Sequence, residues 1–464
     1  MKVLLIAPVT EQYSGIGNYG VPPIGIHRMA SFLEAQGNSV SVYDCNIHPK
    51  ELLDSWLNQY WDIIGISILN NTLSLSIKYL AEIRKRQPDA LLVAGGAEAI
   101  LNYEEIFNNT DVNIVVLGEG ELPMRDLCNR VSYEDINGII YRSTNVPITD
   151  DLLWQYYENI DFSTMGWREY WAKNDDNNDP ENNKKIIRLV TSSHCVRGCS
   201  FCSLTRLHEF SCGKKVKPAI LSGFQIEVLM ERALDQLPEI THVYFVEDSI
   251  LPTKGRIDDF CSGLAPFIGR LKFLVQTETS KVDRTIIAKL ADVGVMHISF
   301  GVENCSPRIR TLMGKSQDSG HIEDIIGWCN EFGVRCYYLI ILFSPESTIE
   351  DLRINYETLA RWQEADNVVV SIEPFMMPYK GASVYYQDFE FEYSLETLDN
   401  KRVLKIPTII QPKDPQVREI MQKFRDRKEA YLADYNREAG HTHRSKDHTG
   451  KVYVKLLGDI LNEY

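Results

Sequence analysis

The chain has 464 residues, 44% hydrophobic and 24% charged, the balance of a folded soluble protein of two or three domains. No apolar run approaches the roughly 18 residues of a membrane helix, and a formal charge of −15 opposes the basic footprint of a nucleic-acid binder. Ten cysteines, three clustered and the others scattered, make no disulfide framework, so a reducing cytoplasm is the expected compartment.

The opening MKVLLIAPVTEQYSG has no small-residue cleavage pattern and reads as a buried strand rather than a signal peptide. Short β-rich runs at 3–7, 39–43, 63–68, 91–94 and 114–117 alternate with helical periodicity over 25–36, 49–60, 73–86 and 121–131. That alternation predicts an α/β, doubly wound Rossmann-like domain over residues 1–147, with its ligand beyond the carboxyl ends of the strands. A hairpin around Ser143-Thr144-Asn145 is expected to close it. Residues 148–184 include the polar run KNDDNNDPENNKK and read as a linker, with 154–171 as part of a lid. A second strand–helix series, with strands at 186–191, 242–246, 273–277, 297–301, 337–343 and 368–372, predicts a partial (β/α)6 barrel over 185–380. Its functional groups should lie at the strand C-terminal ends. Residues 381–464 form a mainly helical C-terminal region, including a charged helix at 415–437.

Directly after the first strand of the second series comes TSSHCVRGCSFCSL, giving Cys195-x3-Cys199-x2-Cys202. Three thiolates so close in sequence can reach three irons of one cubane and leave the fourth iron open for a substrate. Zinc held with His194, His208 or Cys212 is the competing reading. The spacing, with aromatic Phe201 before the third cysteine, resembles the radical S-adenosylmethionine (SAM) superfamily. The resemblance implies a [4Fe–4S] cluster on Cys195, Cys199 and Cys202. It further implies SAM contacts from Phe201, Glu247 and Asp248 in VYFVEDS, Glu278 in QTETS, and Gly301 and Glu303 in SFGVEN. Arg308, Arg310 and Lys315 are candidate partners for the SAM carboxylate, against the competing reading of a solvated helix face.

The order of a doubly wound domain and such a barrel resembles the cobalamin-dependent (B12-binding) radical SAM enzymes. The matching segments are KVLLIAP, VPPIG, VAGG and LGEGE in the first domain, and FSPEST and FMMPYKGA in the second. This implies cobalamin contacts from Pro23, Asn70, Asn71, Thr72, Gly95, Gly96, Gly118 and Glu119, with the loop 11–21 and the barrel strand ends enclosing a cavity between the domains. The Asp-x-His-x-x-Gly motif is absent, so no histidine ligand to cobalt is expected. The family's chemistry implies methyl transfer from methylcobalamin to an unactivated carbon through a 5′-deoxyadenosyl radical, or alternatively a rearrangement, ring contraction or cyclisation. The substrate would be a small molecule or peptide and the electron donor external, such as flavodoxin or ferredoxin. A methylthiotransferase would need three more N-terminal cysteines, whereas only Cys45 and Cys128 precede Cys195. A cluster-bearing sensor without turnover is the non-enzyme alternative.

Overall fold

The computed structural model describes residues 1–8, 21–141, 144–148, 153–174, 184–251, 253–315, 318–397, 403–439 and 446–464. The loop expected to enclose the cavity, 11–21, lies outside them except for Val21, as does Ser143 of the expected hairpin turn.

The first unit runs β1 (Lys2–Ala7), α1 (Ile24–Ala35), β2 (Ser39–Asp44), α2 (Lys50–Trp56), β3 (Ile63–Ser67), α3 (Leu73–Arg86) and β4 (Leu91–Gly95). It continues with α4 (Ala97–Leu101), α5 (Tyr103–Asn109), β5 (Ile114–Val116), α6 (Glu121–Cys128), β6 (Ile139–Tyr141) and β7 (Thr144–Val146). The sheet order is β2-β1-β3-β4-β5-β6-β7, parallel through β5 and antiparallel for the last two strands. The strands are apolar on both faces because helices cover both. Leu4, Ile6, Ile64 and Ile66 pack beneath α2 to α5, whereas Val3, Leu5, Ile63 and Val93 pack beneath α1 and α6. Sequence periodicity missed α4 and α5, because helices of five and seven residues are too short to show a repeat.

The second unit begins with α7 (Leu153–Tyr157) and α8 (Trp167–Asn174). It continues with β8 (Ile186–Leu189), α9 (Leu204–Cys212), α10 (Gly223–Gln236), β9 (His242–Phe245), α11 (Ile257–Leu264), β10 (Lys272–Thr277) and α12 (Arg284–Asp292). Then come β11 (Val295–Glu303), α13 (Pro307–Leu312), α14 (Ser319–Glu331), β12 (Arg335–Phe343), α15 (Ile349–Trp362) and β13 (Val368–Phe375). Its six strands are all parallel and lie in sequential order, the partial barrel. The residues expected on a lid are instead core: Tyr157, Ile160, Phe162, Met165, Trp167 and Trp171 bury with Ile187 and Leu189 of β8. Large aromatic side chains lose too much if left in water to stay on an exposed flap.

The C-terminal region adds a hairpin, β14 (Phe391–Thr397) and β15 (Val403–Ile410), which the expectation of a mainly helical region did not include. Leu404 and Ile406 of that hairpin pack on the first unit, while α16 (Pro415–Ala439) and α17 (Lys446–Leu461) pack against Leu342, Phe343 and Phe375 of the barrel. A second seam joins the two units at α9. Leu207 and Phe210 pack on the first unit's core, Phe210 stacks on Tyr103 at 5.8 Å, and the Ile148 N–H donates to the Ser211 carbonyl at 2.9 Å.

Candidate active site at the facing strand ends

Beyond β8 the chain leaves the sheet as an irregular loop that carries the three cysteines. Gly198 turns it with φ +69°, in the left-handed region that favours glycine. Arg197 pins it from above: its guanidinium pairs with Glu278, donates to Ser280 Oγ at 2.9 Å and reaches the Gly314 carbonyl at 3.3 Å. The Ser200 N–H donates to the Met313 carbonyl at 3.2 Å, and Thr205 Oγ1 donates to the Cys195 carbonyl at 3.2 Å. Phe201 packs with the apolar cluster of Ile309, Met313 and Met376, so its visible task here is anchoring the loop.

All three thiols are free and half-buried. Burial pushes each of them up, Cys202 to about 12, and the neighbouring Cys and Asp248 charges add to that for Cys202. The Arg197 N–H donates to the Cys195 sulfur and the Leu204 N–H to the Cys202 sulfur, the kind of contact that stabilises thiolates bound to iron. A pocket lined by His194, Cys195, Val196, Arg197, Ser249, Glu278 and Lys281 opens beside them. Three half-buried sulfurs on one pinned loop, bordered by a pocket, fit a cubane that keeps one iron open. His194 does not extend this donor set. Its ring nitrogens meet Ser193 Oγ and the Val216 carbonyl, and its face stacks on His208 at 4.0 Å.

The strand-end acids divide by direction. Glu247 is buried, accepts from the Thr191 hydroxyl, and is pushed up to about 7 by burial, with Arg256 nearby. Asp248 is half-buried, is pushed up to about 6 by burial, and lies in the electrostatic field of Lys315, Cys195 and Cys202. Glu278 stands 3.9 Å from the Cys195 sulfur as the partner of Arg197. Glu303 adopts φ +70° at a β-bulge that breaks the register of β11. The bulge turns its carboxylate onto Lys315 at 3.1 Å, and Lys315 also donates to the Gly301 carbonyl at 3.1 Å. A side chain on Gly301 would strike that pair, its Cβ lying 2.5 Å from Glu303 Oε1 and 2.9 Å from Lys315 Nζ. The solvated helix face considered for 308–315 holds for neither Arg310 nor Lys315, both buried. Arg310 caps the Asn304 and Cys305 carbonyls, and Arg308 pairs with Asp351. The structure thus gathers Asp248, Glu278, Glu303 and Lys315 around the cysteine loop, while Glu247 is engaged with Thr191 and Arg256.

At the carboxyl edge of the first sheet, the eight residues named from the sequence do different things. Nothing lies within 4 Å of where a Cβ on Gly95 would stand, which leaves room for a ligand beside the end of β3. Gly96 has φ +92° and faces the Ile68 backbone, where a Cβ would come within 2.6 Å of the carbonyl oxygen. Its glycine therefore serves strand closure. Gly118, with φ +59°, makes room for the Ile148 side chain. Thr72 is buried and exchanges hydrogen bonds with the Leu69 backbone, so it caps the following helix. Asn70 is half-buried against the buried Glu98, Asn71 is exposed, and Pro23 accepts the first N–H groups of α1. Glu119 pairs with Arg28. The first turn of α1 also carries His27, buried, pushed down to about 4 by burial, and without a partner for Nε2 among the described residues. An open glycine and a half-buried amide on a sheet edge fit a corrinoid as they fit other doubly wound ligand sites.

Sequence reasoning missed Arg28, Glu121 and Tyr157. Arg28 is buried between Glu121 at 2.7 Å and Glu119, with its guanidinium 5.1 Å from the Tyr157 ring centre. The one available signal was a charged residue inside the apolar stripe of IGIHRMASFL.

Comparison with known proteins agrees with this layout. A B12 binding domain is matched over residues 18–128 and a radical SAM superfamily domain over residues 189–358. An uncharacterized methyltransferase of Pyrococcus horikoshii is 20% identical across all of this chain and 99% of its own length. The cytidylyl-2-hydroxyethylphosphonate methyltransferase of Streptomyces wedmorensis is 20% identical over 77% of this chain and 76% of its own. Among solved structures, the radical SAM methyltransferase TsrM of Kitasatospora setae, with tryptophan and a SAM analogue bound, superposes with a TM-score of 0.68. It covers 86% of this chain and 79% of its own at 16% identity. The cobalamin-dependent SAM radical enzyme OxsB superposes at 0.64, covering 80% of this chain and 53% of its own at 18% identity. These superpositions carry the fold, and the two matched domains carry the cofactors: this chain belongs to the cobalamin-dependent radical SAM enzymes, with a [4Fe–4S] cluster, SAM and cobalamin as its cofactors.

Proposed function

We propose that this enzyme transfers a methyl group from its corrinoid to an unactivated carbon of a small-molecule substrate, with electrons from an external donor of the flavodoxin or ferredoxin type. The observation that supports this reading is the meeting of the two sheet edges. Arg28, paired with Glu119 beyond β5, lies 5.1 Å from the Tyr157 ring centre, and Arg232 of the barrel helix α10 holds the Tyr157 carbonyl at 2.9 Å. The cluster, when bound, supplies the electron that cleaves SAM to a hydrogen-abstracting radical, and the corrinoid supplies the methyl group. The chain's own residues do the positioning. Cys195, Cys199 and Cys202 would hold the irons, while Arg197, Glu278 and Phe201 fix their loop. Asp248, Glu303 and Lys315 form a charged rim suited to the amino and carboxylate groups of a methionine moiety. The expected role of the Gly95 edge is to seat the corrinoid tail.

Methyl-labelled SAM tests the proposal. Anaerobically reconstituted protein with a chemical reductant should form 5′-deoxyadenosine and S-adenosylhomocysteine, with label on the corrinoid. If 5′-deoxyadenosine forms while no label reaches the corrinoid, methyl transfer is refuted and a radical rearrangement with cobalamin as redox partner takes its place.

A further inference from the structure

Buried polar groups gather between the two units, apart from the cysteine loop and the Gly95 edge. On the first unit, Arg28 of α1 is 4% exposed and donates through Nε to Glu121, itself fully buried, and through Nη2 to Glu119. Its guanidinium lies over the rings of Tyr156 and Tyr157, at 5.4 and 5.1 Å. Tyr157, on α7, is fully buried, and its hydroxyl, without a hydrogen-bond partner among the described residues, lies in the electrostatic field of Arg28, Glu119 and Glu247. On the barrel, Glu247 bonds the Thr191 hydroxyl, Arg256 Nη2 donates to the same hydroxyl at 3.0 Å, and Arg232 of α10 holds the Tyr157 carbonyl at 2.9 Å. Ser31, one turn beyond Arg28, accepts the Asp161 N–H at 3.2 Å.

This arrangement is costly unless it has a use. Burying charged groups demands partners, and an apolar seam of the same volume would be at least as stable. What a polar seam provides is direction. An arginine held by two carboxylates and two rings has one orientation, whereas apolar surfaces slide. We propose that Arg28 and Tyr157 are positioning residues: a polar joint, clamped by Glu119 and Glu121 on one side and held by Arg232 through the Tyr157 carbonyl on the other, that fixes the corrinoid edge of the first sheet against the SAM end of the barrel. The joint touches neither the cysteine loop nor Gly95, so it acts on the distance between the two cofactors and not on the binding of either. The inference rests on the two cofactor domains and is independent of which group is transferred.

Tyr157→Phe and Arg28→Lys test it in the fully loaded enzyme. Tyr157→Phe keeps the ring and removes the hydroxyl, and Arg28→Lys keeps the charge and loses the fork. Iron content, corrinoid content and 5′-deoxyadenosine formed from SAM alone should stay within about twofold of the parent, since neither side chain touches the cysteine loop or Gly95. The readout is the relaxation of the cob(II)alamin paramagnetic signal by the reduced cluster, which depends steeply on their separation. It should weaken at least twofold in each variant, with faster amide exchange confined to α1 and α7. Unchanged relaxation in Tyr157→Phe with full cofactor content overturns the inference, whatever Arg28→Lys does. Loss of iron or corrinoid from Tyr157→Phe also overturns it, by assigning the residue to a cofactor site. Failure of methyl transfer alone would bear only on the proposed function.

Discussion

Adjacent glycines at the end of β4 allow strand closure and ligand seating to be separated. Alanine at position 96 would be forced into φ +92° with its Cβ 2.6 Å from the Ile68 carbonyl oxygen and 3.0 Å from the Ile68 nitrogen. With ψ at 162° this backbone lies in a region essentially reserved for glycine and costs an alanine about 1–3 kcal/mol, and overpacking against backbone adds about 1–3 kcal/mol. The neighbour cannot step aside, because Ile68 N–H donates to the Gly95 carbonyl at 2.7 Å and its own carbonyl accepts from Glu98. A loss of about 3 kcal/mol in a unit of this size lowers the melting temperature by about 6–12 °C. Alanine at position 95 meets nothing within 4 Å and should leave stability within about 1 kcal/mol of the parent. If the corrinoid passes that edge, Gly95→Ala should weaken aquacobalamin binding at least tenfold, about 1.4 kcal/mol. Calorimetry of the unloaded protein and an absorbance titration with aquacobalamin measure the two effects. The reasoning fails if Gly96→Ala melts within about 2 °C of the parent, or if Gly95→Ala binds cobalamin as tightly as the parent does.

Alanine at Cys195, Cys199 or Cys202 should each abolish 5′-deoxyadenosine formation and deplete iron, while serine at any of the other seven cysteines should keep the cluster's iron. Iron counting decides it. Paramagnetic resonance of the cob(II)alamin form should show no superhyperfine splitting from a protein nitrogen; clear splitting would point first to His27, on the first turn of α1. Asp351 opposes burial with hydrogen bonds from Arg308, Ser306 and Thr348 that hold its carboxyl down at about 2 in the fold, against 3.8 for the free group. Its stabilisation is therefore complete above about pH 4 and lost as pH falls through 2, a contribution of about 2 kcal/mol. Asp351→Asn should lower stability at neutral pH by that order and flatten the acid limb of a urea-midpoint profile; an unchanged limb would refute it. Gly301→Ala should leave the melting temperature nearly unchanged, since the ends of Glu303 and Lys315 can swing away, yet weaken SAM binding in a calorimetric titration.

The sequence by itself determined whatever depends on neighbours along the chain. The strands of both sheets were legible because a strand covered on both faces must be an unbroken apolar run, as in VLLIA of β1 and YYLIILF of β12. The cysteine loop was legible because its three ligands fall within eight residues, a spacing that chemistry imposes whatever the surrounding fold. The tertiary structure decided which of two similar residues faces a ligand. Gly95 and Gly96 look alike in VAGG, and only the closure of β4 on β3 assigns one to the Ile68 backbone and leaves the other open. Glu247 and Asp248 look alike in VYFVEDS, and only the fold of the chain beyond β9 sets one on the Thr191 hydroxyl and the other in the field of the cysteines and Lys315. Nor could local pattern reveal that 157–171 is core or that Lys315 is buried, because burial belongs to whatever packs on a segment. Arg28, Glu121 and Tyr157 lie on three segments far apart in the chain, so no spacing links them. They meet only because two sheets present their carboxyl edges to one another, where a buried charge must find its partners across the seam.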